Sequence, residues 1–136
     1  MVQIDIVYEG GLRTRATHGP SGQTLVTDAP VDNNGKGEAF SPTDLVATAT
    51  GTCMLTIMGM VAERHGWPFV GARASVVKKM VADPARRIGV LEIVIVVPGD
   101  WTEEQRRTLE RAALGCPVHE TLKGKVELPI RFDWEA

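Results

Sequence analysis

The sequence predicts an α+β fold, and three observations predict it. Strand-type alternation opens and closes the chain, with Val2, Ile4, Ile6 and Tyr8 at one end and Val126, Leu128, Ile130, Phe132 and Trp134 at the other. A stretch of 18 residues without charge, Leu45 to Ala62, lies between them and reads as a helix. The strands are separated by turn signals of hairpin type and show no βαβ rhythm, which argues against a doubly wound sheet. The implied order is three strands, a helix, two strands, a helix and a last strand. A length of 136 residues suits one domain with its own core, so 1–136 is read as a single domain.

The elements follow in order. Val2 to Tyr8 is a half-buried strand, Gly10-Gly11 a turn, and Leu12 to Thr17 a second strand with Arg13 and Arg15 on one face. Gly19 to Gly22 punctuates the chain, Thr24 to Thr27 is a short third strand, and Asp28 to Phe40 is a glycine-rich loop. Ser41 is a suitable N-cap, Pro42 fits the first helical position, and Asp44 completes a capping-box variant. The helix runs to Arg64-His65 and stops at Gly66. Leu45, Ala49, Cys53, Ile57 and Val61 form one stripe on it, and the uncharged opposite face predicts burial on more than one side. Residues 69–82 and 88–97 read as strands around a hairpin loop, Asp83 to Arg87. Thr102 and Gln105 form another capping box, and the helix they open carries Leu109, Ala112, Ala113 and Cys116 on its apolar face. Pro117 ends it and opens a short helix, Pro117 to Leu122.

The composition excludes several classes. A hydrophobic share of 43% and a net charge of -2, with acidic and basic residues mixed, leave no basic footprint for nucleic acid or anionic membrane. Leu45 to Ala62 carries four threonines and two glycines and is short for a membrane span, so no membrane partner is expected. Two cysteines without a signal-peptide pattern predict a reducing, cytoplasmic location.

Cys53 and Cys116 are the residues with chemistry to offer. A thiolate is the nucleophile, and apolar burial raises a cysteine's pKa, so Cys53 needs a cation from elsewhere. Arg13 or Arg15 can supply it, with Glu38 or Asp44 to hold the guanidinium. Cys116 sits directly before a helix start, at the positive end of its dipole. The plain alternative is that each cysteine is a small buried hydrophobe and each arginine a solvated edge-strand residue. Cys116 and His119 have Cys-x-x-His spacing, but with three scattered histidines a metal site is not expected, and His119 is expected to face solvent. No cofactor is expected.

The segments Phe40-Ser41-Pro42-Thr43-Asp44-Leu45-Val46, Ala49-Thr50-Gly51-Thr52-Cys53 and Gly115-Cys116-Pro117-Val118 resemble the OsmC/Ohr superfamily, the osmotically inducible proteins and organic hydroperoxide reductases. The resemblance covers nearly the whole chain and is similar to a less characterised OsmC-like branch. It implies an intertwined homodimer in which antiparallel curved sheets wrap two long central helices. It implies a cysteine-based peroxidase that reduces organic hydroperoxides, with Cys53 attacking and Cys116 resolving. A dithiol or a lipoylated protein would be the reductant. Arg13 becomes the activating cation and Glu38 its partner; Thr43 stands where the best-described branches carry a glutamate. The competing reading is a non-catalytic small-ligand-binding or redox-sensing protein on the same scaffold.

Overall fold

A computed structural model describes residues 1–135. The chain divides into two compact units, Met1–Val46 and the residues from Ala47 on. In the first, β1 (Ile4–Gly10), β2 (Arg13–His18) and β3 (Thr24–Asp28) form an antiparallel meander in the order β1-β2-β3. The β1–β2 turn places Gly10, Gly11 and Leu12 at positive φ, the conformation for which glycine is the least strained residue. β1 is present as expected, but not half-buried. Ile4, Ile6, Val7 and Tyr8 are all exposed, so a single chain leaves its apolar row bare.

The long helix α1 (Pro42–His65) begins in the first unit and continues through the second. Its start is the predicted box: the Asp44 amide donates to Ser41 Oγ, and the Ser41 amide donates to Asp44 Oδ2. Gly66 at φ +72° ends it. α1 is long and apolar enough to cross a membrane by length and composition. Here, however, Met54, Met58 and Ala62 belong to the hydrophobic core of the second unit.

That core also draws on a sheet of β4 (Arg73–Val81), β5 (Arg87–Pro98) and β6 (Ile130–Glu135), ordered β4-β5-β6. Along β5, Ile93, Ile95 and Val97 point inward at period two and are buried. Gly89 lies at the register shift between β4 and β5, where a Cβ would come 2.5 Å from Val81 Cγ1. A β-branched neighbour with a stiff χ1 has no easy way to yield, so the close approach requires glycine.

The absence of a βαβ rhythm does not hold throughout. β5 and β6 pair in parallel, Ile93 opposite Ile130 and Ile95 opposite Phe132, across a connection made of α2 (Glu103–Leu114) and α3 (Pro117–Leu122). A parallel pair needs such a helical crossover, so the second sheet is mixed rather than antiparallel. The last strand also begins later than its alternation suggests. Pairing starts with the Val90–Glu127 bridge, but Pro129 has no N–H for the ladder, and the regular strand opens at Ile130. α2 has the predicted Thr102–Gln105 capping box and buries Leu109 and Ala113 in the core.

Candidate active site

α1 presents Cys53 at the margin of its core-facing side. The fully packed row is Ala47, Thr50, Met54, Met58 and Ala62, while the expected stripe through Ala49, Cys53, Ile57 and Val61 is half-buried. Cys53 is one residue, about 100° of helix, away from Met54 and therefore keeps an accessible edge. The opposite side of α1, with Thr48, Thr52, Thr56 and Met60, is exposed in the single chain.

Cys116 is fully buried at the N-cap of α3. Its Sγ accepts a hydrogen bond from the His119 amide at 3.3 Å, and Pro117 occupies the first helical turn, where its missing N–H costs nothing. Both cysteines are free. Cys53 packs against the core cluster that includes Cys116, and its thiol is near enough to act on the Cys116 thiol. The chain thus joins the long helix and the α2–α3 junction at two thiols.

Burial pushes the Cys116 thiol above its ordinary pKa, and the Cys53 thiol adds to the rise; the amides of His119 and Val118 act the other way. The folded protein therefore binds this proton more tightly than the unfolded chain does. The stability this contributes is fully present below the ordinary thiol pKa and is lost as pH rises through the raised value. Denaturant unfolding of the reduced protein is expected to show a fall in stability on the alkaline side that is smaller in Cys116→Ala. An identical alkaline slope in both proteins contradicts the assignment.

Arg13 and Glu38 lie in the other unit, Met1–Val46. Arg13 stands directly opposite Asp28 in the β2–β3 register, and its Nη1 donates to Asp28 Oδ2 at 3.3 Å. The Asp28 side chain is 0% exposed and that of Arg13 is 35% exposed. Glu38 does not hold the guanidinium with its carboxylate. It contributes its backbone amide, which donates to the same Asp28 oxygen at 3.0 Å. Glu38 is an exposed loop residue, whereas strand pairing delivers Asp28 to Arg13. Arg15 is paired instead with Glu9 at 3.1 Å. Thr43 hydrogen-bonds through Oγ1 with Ser41 Oγ at 3.2 Å.

His119 corrects a second expectation: its ring is only partly exposed, and Nδ1 is buried without a hydrogen-bond partner. Among the described residues no group of three or more His, Cys, Asp or Glu is placed to hold a metal ion. An open groove of about 460 Å³ runs beside α1, lined by Thr56, Met60, Glu63, Trp67, Phe69 and Val70. It starts three residues beyond Cys53 and is largely apolar. Asp28 and the buried face of His119 escaped the sequence reading. The Arg13–Asp28 pairing had a signal in the register of the two short strands, which the Asp28–Phe40 loop assignment concealed by one residue.

The family model described as OsmC-like protein matches residues 35–131. Among curated proteins no sequence matches the chain. A crystal structure from Psychrobacter arcticus 273-4, named for osmotic stress induction and a detoxification response, is 40% identical, with 97% of this chain and 96% of that one covered at a TM-score of 0.91. The OsmC-like protein of Mycoplasma pneumoniae shares the fold at 13% identity, covering 100% and 98% of the two chains with a TM-score of 0.84. The organic hydroperoxide resistance protein OsmC of Legionella pneumophila does so at 16% identity, covering 98% and 96% with a TM-score of 0.75.

Proposed function

This chain belongs to the OsmC-like family, and from that premise we propose that it is a cytoplasmic, cysteine-based peroxidase that reduces organic hydroperoxides. The observation that carries the reading is the meeting of a half-exposed Cys53 with a buried Cys116 whose sulfur caps a helix. Two neighbouring thiols, one reachable and one sheltered, suit attack and resolution. The Cys53 thiolate attacks the terminal peroxide oxygen, the O–O bond breaks, and the alkoxide takes a proton and leaves as an alcohol. Cys53 is then a sulfenic acid. Cys116 displaces its hydroxide, closing a disulfide and releasing water, and an external dithiol such as a lipoylated protein reduces the disulfide.

Arg13, held by Asp28, is the cation we assign to stabilising the thiolate and the developing alkoxide. The apolar groove beyond Thr56 favours an alkyl hydroperoxide over hydrogen peroxide. A stoichiometric amount of cumene hydroperoxide is expected to consume both thiols of the reduced protein and leave one intramolecular disulfide, read by mass spectrometry. If both thiols survive with the peroxide intact, the reading falls.

The second part of the proposal is a homodimer. In the first unit Ile4, Ile6, Val7 and Tyr8 on β1 and Leu25 on β3 are exposed, and in the second Met60 on α1 and Val70 are. Exposed apolar surface of that extent marks an interface. Light scattering in solution is expected to give twice the chain mass, and a monomer at micromolar concentration excludes it.

A further inference from the structure

The two neighbouring thiols differ sharply in access. Cys116 is 0% exposed and belongs to the core with Met54, Met58, Leu109 and Ala113. Cys53 packs against that core from its margin and is half-exposed. The helix fixes this difference. Cys53 is turned about 100° from the buried Met54, toward the side of α1 that carries the exposed Met60 two turns on. Joining the two sulfurs leaves each on the element that bears it. The oxidised pair therefore has one sulfur inside the core and one at its edge.

Reduction of such a pair is a displacement: an incoming thiolate must reach one sulfur while the other departs. Two effects oppose each other here. Burial raises the Cys116 pKa, and a thiol of higher pKa is the poorer leaving group, which favours attack on Cys116. That effect is graded, less than about tenfold for each pKa unit. The His119 amide, donating to Cys116 Sγ at 3.3 Å, offsets part of it. Access works in the other direction and is close to all or none. A sulfur without exposed surface is reached only when the core around it opens, and core segments open at nearly the full cost of unfolding. Access decides.

We propose that the external reductant enters at Cys53 alone, with Cys116 as the departing sulfur. The reductant's thiolate attacks Cys53 Sγ and the Cys53–Cys116 bond breaks. Cys116 leaves as a thiolate and takes up the proton that the attacking thiol gave up. The reductant is now joined to Cys53 as a mixed disulfide. Its second thiol attacks its own bonded sulfur and releases Cys53, so the protein gains two electrons and the dithiol becomes a cyclic disulfide. Peroxide and reductant share one entrance, and Cys116 exchanges bonds only with Cys53. This inference rests on the peroxidase reading for the natural source of the disulfide, but the step itself is open to test without peroxide.

The folded protein is oxidised with diamide, freed of the reagent and pulsed with the monothiol 2-mercaptoethanol. Acid then halts exchange by protonating the thiolates. Free thiols are labelled with N-ethylmaleimide, and peptide mass spectrometry reads which cysteine holds mercaptoethanol. At the earliest times the adduct is expected on Cys53 over Cys116 by at least about tenfold, as for a sulfur reached only through local opening. The same pulse in guanidinium chloride is expected to lose most of that preference. An adduct on Cys116, an even division in the folded protein, or a preference undiminished by unfolding overturns the proposal. Failure of diamide to join the two thiols within one chain overturns it as well. If the adduct falls on Cys53 while cumene hydroperoxide leaves both thiols of the reduced protein free, the peroxidase reading fails and the entrance at Cys53 stands.

Discussion

Cys53→Ser is expected to lower hydroperoxide turnover by about 10⁴-fold or more, the scale of nucleophile deletions in enzymes that work through a covalent intermediate. A hydroxyl in that position is far from ionised at neutral pH and cannot form a sulfenic acid. Cys116→Ser should behave differently. Its Cys53 still attacks, so one equivalent of peroxide is consumed, but the sulfenic acid persists and drifts toward sulfinic acid with further peroxide. The contrast separates attack from resolution, since Cys116 is buried at the α3 cap whereas Cys53 keeps an open edge. The check is turnover with a dithiol reductant, together with trapping of sulfenic acid by dimedone. Turnover retained in Cys53→Ser removes the mechanism, and equal loss of the first peroxide equivalent in both variants removes the division of roles.

Arg13→Met is expected to cost about 3 kcal/mol of unfolding free energy, the lower end of the range for a buried charge that loses its partner. The lower end applies because the Arg13 guanidinium is partly open to solvent and screened there, while the Asp28 carboxylate is wholly enclosed. What remains in the variant is a buried carboxylate supported by the Glu38 amide, with its second oxygen still unpartnered. Adding Asp28→Asn to Arg13→Met should return part of the loss, because the uncompensated charge is then gone. Denaturant unfolding of the two single variants and the double variant measures the coupling directly. Additive losses mean the two side chains do not act as a pair. In the peroxidase reading, Arg13→Met also slows sulfenic-acid formation, and Asp28→Asn slows it less because it displaces the cation without removing it.

Much of the fold was legible in local sequence signals. Ser41, Pro42 and Asp44 mark a helix start because capping is settled within four residues, and Gly66 marks its end because few other residues tolerate its φ of +72°. The inward row of β5 is legible because a strand's side chains alternate whatever lies opposite. The parallel pairing of β5 with β6 was not, since alternation gives a strand's faces and says nothing of its neighbour's direction. The same limit explains why the partner of Arg13 was sought at Glu38. Glu38 joins the Arg13–Asp28 pair only through its amide, which donates to Asp28, and the choice of Asp28 over Glu38 came from a strand register that neither residue type announces.

Residue order alone therefore carried the α+β class, the element sequence, the family resemblance and the two thiols worth attention. These depend on spacing and short-range geometry, which a chain keeps whatever it packs against. The nearness of Cys53 to Cys116, the sheltering of one and the partial opening of the other, and the buried nitrogen of His119 belong to the folded molecule. They arise where distant segments meet, and burial and partnership are properties of that meeting rather than of any residue within it.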